Sequence, residues 1–235
     1  MMSKAYAVYV IAPALIALAG CSSERSAKPA PAAEIATPAK AMQWPAEAKR
    51  EPTPVERGAF LVKMGGCTDC HTPMQFDPKI GMPVPNHARY LSGHPQGAPR
   101  PEGLPKGHDQ AVIGPTFTSF RLPFGTVFAA NLTPDPETGL GNWTEDMFIR
   151  AVRTGRHMGG TGRPIVPPMP WPTLAQQTDD DLKAIFAYLH SIPAIKNDVP
   201  QPEVPGPVLD GIAASYDKML AAMHPEATAK NEAKP

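Results

Sequence analysis

Cys67-Thr68-Asp69-Cys70-His71 decides the reading of this 235-residue chain. Two cysteines three positions apart, with a histidine directly after the second, form the spacing of c-type haem attachment. Each thiol can add across one haem vinyl group to make a thioether, and the adjacent imidazole can then stand beneath the iron as its proximal ligand. Two other chemistries use paired cysteines. A structural zinc site wants four ligands, and the third cysteine of the chain, Cys21, lies far upstream in an apolar segment. A thioredoxin-like redox pair sits at a strand-to-helix turn, whereas His71 is followed by Thr72-Pro73 and a long Pro/Gly-rich stretch.

Outward from this motif, the N-terminus reads as an export signal. Lys4 supplies a positive charge, and Ala7 to Ala19 is apolar apart from Pro13. That run is short of the ~20 apolar residues that span a bilayer. It ends in Leu18-Ala19-Gly20-Cys21, which resembles the lipobox of bacterial lipoproteins. The resemblance implies cleavage after residue 20, lipidation of Cys21, and a membrane anchor that does not cross the bilayer. An ordinary cleaved signal with a stray cysteine is the alternative. With Cys67 and Cys70 assigned to haem and Cys21 to lipid, no thiol remains for a disulfide. Residues 21–54 are rich in Ala and Pro without apolar periodicity and read as a flexible linker. Ser22 resembles the outer-membrane rather than the inner-membrane retention signal, so the expected location is the periplasmic side of a bacterial outer membrane. Twenty-two basic residues balance twenty-two acidic ones, a charge that gives no support to nucleic-acid binding.

Helical signals cluster at four places. The first helix is expected over about Val55 to Gly65, with Pro54 at its start and Gly65-Gly66 ending it; Gly58 in its interior implies a close crossing. Thr144 caps a second helix whose Met147, Phe148, Ala151 and Val152 make one apolar stripe, with Arg150, Arg153 and Arg156 on another, solvated face. Thr178 caps a third, carrying Asp179-Asp180-Asp181 in its first turn and Leu182, Ile185, Phe186 and Leu189 at i, i+3, i+4, i+7 before Pro193. A fourth, weaker helix falls on Pro207 to Met223. Strand alternation is weak throughout, so the predicted class is all-α, with Thr72 to Trp143 as a long Pro/Gly-rich loop insertion. The expected layout is a domain over 55–193 and an extension over 194–235 that ends in a polar tail.

This pattern resembles a class I c-type cytochrome. Asn131-Leu132-Thr133-Pro134-Asp135, Thr138-Gly139-Leu140-Gly141, Trp143-Thr144, Arg153-Thr154-Gly155-Arg156 and Pro168-Met169-Pro170-Trp171 are similar to the cytochrome modules of bacterial membrane-bound alcohol and aldehyde dehydrogenases. The resemblance implies the cytochrome c fold around one covalent haem c over roughly Val55 to Pro193. Those modules often come three to a chain, and this chain holds one attachment motif.

Eleven methionines compete for the sixth position on the iron. Met169, between two prolines that fix an extended backbone, is the leading candidate, and the resembling modules place their axial methionine in this motif. Met158 follows it, and His157, His87, His94 or His108 would give bis-histidine ligation instead, although each of these histidines reads more simply as an exposed loop residue. In class I cytochromes a Gly-Pro turn supplies the carbonyl that orients the proximal histidine; Gly114-Pro115 resembles that turn, with a plain turn as the alternative. The functional expectation is a non-enzymatic carrier of single electrons between periplasmic or membrane redox proteins, such as a dehydrogenase, other cytochromes or an oxidase. The alternative is a haem peroxidase or small-gas sensor whose sixth position is open or exchangeable.

Overall fold

The computed structural model describes residues 50–223. The predicted signal, Cys21, most of the linker and the C-terminal tail lie outside these residues.

Thr53 opens helix α1 (Pro54–Met64) with a reciprocal cap: its hydroxyl accepts from the Glu56 amide while the Glu56 carboxylate accepts from the Thr53 amide. The chain turns at Gly66, whose left-handed φ of 65° suits a residue without Cβ, and enters the one-turn helix α2 (Cys67–His71). Thr144 caps α3 (Glu145–Thr154) and Thr178 caps α6 (Asp179–Ser191), both as their sequences indicate. Between them lie α4 (His157–Gly160), a turn with left-handed Met158 and Gly159 at its centre, and the single turn α5 (Trp171–Leu174). The weak C-terminal pattern is realised as α7 (Gly206–Met223).

Helices α1 and α6 cross at Gly58. A Cβ there would press on the Ala184 carbonyl, 2.6 Å from its carbon and 2.7 Å from Tyr188 Cβ, so the missing side chain is what lets the backbones meet. Arg57 and Asp181 bridge the crossing at 2.9 Å. Below it, Val62, Leu91, Leu140, Phe148, Val152, Leu182 and other α6 residues form one apolar core. On α1 only Gly58 and Val62 are fully buried, while Phe60 and Met64 point outward. The three arginines each have an acidic partner, although Arg156 falls beyond the end of α3: Arg150 pairs with Asp146 on the exposed face of the same helix, Arg153 with Asp179 of α6 and Arg156 with Asp217 of α7. The last two fasten neighbouring segments rather than join one free basic face.

The all-α expectation is overturned. The stretch read as an insertion without regular structure carries two antiparallel sheets: a hairpin of β1 (Met74–Asp77) and β2 (Met82–Pro85), and a three-stranded sheet of β3 (Val112–Ile113), β4 (Ser119–Leu122) and β5 (Gly125–Phe128). Strands of two to four residues are too short to display a period. The hairpin buries neither face: β1 alternates Met74-Gln75-Phe76-Asp77 over only four residues, and its apolar side gains no cover, with Phe76 65% exposed. Prolines at 83 and 85 mask β2 further, since Pro is tolerated there only because the strand is an edge.

Gly58→Val is expected to destabilise the protein by about 1–3 kcal/mol through overpacking, read as a lower urea midpoint at unchanged m-value.

Candidate functional site

Cys67, Cys70 and His71 share α2, which the core receives on one side through Cys67. The two thiols are not joined. Burial, then the neighbouring Asp69 carboxylate, raises both above the ordinary cysteine range. A thioredoxin-type pair works by the opposite shift, a depressed thiol pKa. Among the described residues no group of three or more His, Cys, Asp or Glu side chains gathers to hold a metal ion, so the four-ligand zinc arrangement is not assembled there.

His71 is buried, and its Nδ1 lies 2.8 Å from the carbonyl oxygen of Ala130. A carbonyl only accepts, so Nδ1 carries the proton and donates. Burial holds the ring neutral by lowering its pKa, against the smaller opposing effect of that hydrogen bond. A neutral imidazole with Nδ1 committed presents the lone pair of Nε2, the state a metal-bound histidine requires. The donor set, two unpaired thiols and one oriented imidazole on a single turn, fits a covalently held haem.

The orienting carbonyl is not supplied by Gly114-Pro115. Gly114 instead donates its amide to Ser119 and accepts from Phe117, closing the β3–β4 connection. Ala130 takes the role because the chain after β5 is pressed against α2 by the segment Leu91–His94. The Gly93 amide donates to the His71 carbonyl at 2.8 Å, the His94 amide donates to Ala129 at 2.9 Å, and Leu132 donates to Leu91 at 2.9 Å. At Gly93, φ is 76° and a Cβ would stand 2.5 Å from the Ala129 oxygen and the Ala130 carbonyl. Only glycine meets both demands.

A cage of polar side chains fixes these two segments from behind. Asn197, 2% exposed, donates through Nδ2 to the carbonyls of Ser92 (2.6 Å) and His94 (2.9 Å), and its Oδ1 accepts from Arg89 and the Gln96 amide. Asn131 donates to the Ile195 carbonyl at 2.8 Å and accepts from the Thr133 amide and hydroxyl. His94 is buried, with Nδ1 2.9 Å from the Thr118 hydroxyl, so it is a structural residue rather than the exposed one its loop position implies. His87 and His108 are exposed. Sequence reasoning passed over Ala130 and Asn197: a carbonyl leaves no trace in side-chain identity, and Asn197 follows Pro193 in a stretch without periodicity. Asn131-Leu132-Thr133 did carry a signal, because an Asn two residues before a Thr favours this local side-chain turn.

Met169 lies on a separate segment, the strap of residues 164–170 between α4 and α5, and is half-buried. The strap is anchored by Trp171, 1% exposed. Met158 is left-handed and 54% exposed on the α4 turn. His157, beside it, is mostly buried with its ring edge-on to Trp143 at 6.4 Å.

The chain is similar to the cytochrome c subunit of a quinone alcohol dehydrogenase from Gluconobacter oxydans, 26% identical over 155 residues, 66% of this chain and 25% of that one. It is 29% identical to the cytochrome c subunit of a gluconate 2-dehydrogenase from Pantoea cypripedii over 155 residues, covering 66% and 27% of the two chains. It is 33% identical to the cytochrome subunit of a fructose dehydrogenase from Gluconobacter japonicus over 173 residues, covering 70% and 28%. No protein-family model matches. The chain thus spans about a quarter of the length of the first of these relatives, and it is related to the cytochrome c modules of dehydrogenase subunits.

Burial, and secondarily the Arg163 cation, lowers the pKa of His157 from 6.5 to about 4. Between these values the unfolded chain binds a proton that the folded one refuses, so stability is complete above pH 6.5 and is lost as pH falls toward 4, by about 3 kcal/mol in total. His157→Gln removes this titration. Urea midpoints measured from pH 7 to pH 4 should fall less steeply for the variant than for the native protein, and parallel profiles would contradict the assignment.

Proposed function

We propose that this chain is a membrane-tethered cytochrome c with one haem, carrying single electrons between a dehydrogenase and other periplasmic or membrane redox proteins. The observation that carries this reading is the pair of unpaired thiols beside an imidazole whose Nδ1 is committed to Ala130. The relationship to dehydrogenase cytochrome c subunits supports an electron-transfer role beside a dehydrogenase.

Cys67 and Cys70 would each tether the macrocycle by a thioether, and His71 Nε2 and the sulfur of Met169 would bind its iron. When bound, the haem supplies a one-electron ferrous/ferric couple. The chain's own residues do the rest. Ala130 keeps His71 in the tautomer and orientation that ligation needs. A methionine sulfur on the iron would raise the reduction potential relative to a second histidine, and with His71 and Met169 both bound the chain would leave no place on it for peroxide or a gas. The anchor in this reading is an acylated Cys21, with residues 22–54 giving the domain reach from the membrane surface. No helix of the described residues is long and apolar enough to cross a membrane.

Two measurements test the core of this reading. Replacing Cys67 and Cys70 with alanine should abolish haem that survives denaturing electrophoresis. The oxidised native protein should show the weak red charge-transfer band of thioether-ligated ferric haem and lose it in Met169→Ala, with a lower potential and rapid carbon monoxide binding once reduced. A native protein with no such band and rapid carbon monoxide binding would instead be a peroxidase or gas sensor.

Cys21→Ser separates the anchor from the domain. The variant should leave the membrane fraction for the soluble periplasmic fraction with its haem spectrum unchanged, and a variant retained on membranes would rule out the lipid tether.

A further inference from the structure

The strap that carries Met169 is poor in hydrogen-bond donors of its own. Residues 164, 167, 168 and 170 are proline, and proline has no amide hydrogen to place in a ladder. One of the remaining amides, that of Ile165, donates to the Gly155 carbonyl at 2.7 Å. At the far end the strap is fixed by Trp171, whose ring fills the space over Gly155 that a Cβ would occupy, with its Cζ2 2.5 Å from the would-be carbon. A segment built this way must be held from outside.

The outside support comes from α7. No residue of this helix is buried, so its burial supplies little of the core, yet its polar side chains reach the strap and its two ends. Tyr216 donates its hydroxyl to the Ile165 carbonyl at 2.6 Å. Its ring meets Trp171 edge-on, with centroids 4.8 Å apart. Asp217 accepts from Arg156 at 2.9 and 3.0 Å, and Arg156 closes the other side of the strap by pairing with Pro164. One helical turn of α7 therefore touches Arg156, which pairs with Pro164 at the start of the strap, Ile165 within it and Trp171 just after it.

We infer that Tyr216 and Asp217 are positioning residues that clasp the 164–170 strap, so that the C-terminal helix governs how readily Met169 leaves the iron. This rests on Met169 being the sixth ligand, as proposed above. The clasp acts on the opening of one axial position. It contributes little to global stability, because α7 lies on the surface with its partly covered face spread over side chains such as Leu209, Ile212 and Leu220.

The test uses the full-length, haem-loaded protein and the variants Tyr216→Phe, Asp217→Asn, the two combined, and Lys218→Gln on the exposed side of the same helix. The readouts are the rate of carbon monoxide binding to the reduced protein, the temperature at which the red thioether band disappears, and hydrogen exchange at the Ile165 amide. Losing one net hydrogen bond should speed carbon monoxide binding about fivefold in Tyr216→Phe. The double variant should exceed that, lose the band at lower temperature and exchange Ile165 faster. Lys218→Gln should match the native protein, and all variants should keep the native urea midpoint to within a small shift. If the native protein shows the band and Met169→Ala opens the site, but Tyr216→Phe and the double variant bind carbon monoxide at the native rate, the clasp is wrong and the ligand assignment stands. If the native protein lacks the band, the ligand assignment fails and takes the clasp with it.

Discussion

One hydrogen bond, from His71 Nδ1 to the carbonyl of Ala130 across 59 positions of sequence, imposes more on this fold than any other contact. A backbone carbonyl cannot be aimed by choosing its side chain. It can be aimed only by fixing the strand that bears it, and the segments between α2 and α3 are arranged to do that. Gly93 brings one strand within reach, the Gly93 and His94 amides stitch it to His71 and Ala129, and Asn131 and Asn197 tie the far side to the stretch after α6.

Two kinds of cohesion meet at this point. The crossing of α1 and α6 over Val62, Leu182 and Ile185 is an apolar frame of the ordinary kind. Behind Ala130 the interior is polar, with Thr72, Ser92, His94, Thr118, Thr133 and Asn197 buried. Most of their groups find partners, and removing one partner would leave the other unmet in a dry environment, which costs more than the bond itself contributes. This makes the cage stiff, and stiffness is what an orienting carbonyl needs. The same logic explains why residues after Pro193 are bound into the loop region: the Ile195 carbonyl and the Asn197 side chain close the cage, and Glu203 exchanges two backbone hydrogen bonds with Thr126 of β5.

Where local chemistry determines structure, the sequence was readable. The Thr144 and Thr178 caps and the apolar stripe of α6 follow from residues within a turn or two of one another, and Gly58 marks its close approach by the lack of a side chain. What was not readable depends on partners far away. The alternation in β1 and β4 runs over only four residues each, too few to stand out, and their faces are not distinctly wet and dry. His94 looks like a loop histidine until Thr118 covers it. Arg150, Arg153 and Arg156 look like one basic face until Asp146, Asp179 and Asp217 are seen to claim them separately. Gly114-Pro115 had the right composition for an orienting turn but lies in the β3–β4 connection, and the carbonyl that orients His71 belongs to an alanine whose identity carries no information.

The supports of His71 and of the 164–170 strap differ in their exposure to water. The cage around Ala130 holds two charges, and both are withdrawn from solvent: Asp135, 8% exposed, lies under Thr138, and Arg89, partly buried, reaches Asn197 at the edge. The strap leans on an ion pair whose acidic partner, Asp217, is 63% exposed. Mobile ions screen an exposed pair within a Debye length of about 8 Å at physiological ionic strength, and they screen a buried network much less. Brine therefore acts more on one part of this molecule than on another: a rising salt concentration loosens the strap while the Ala130 carbonyl keeps its place.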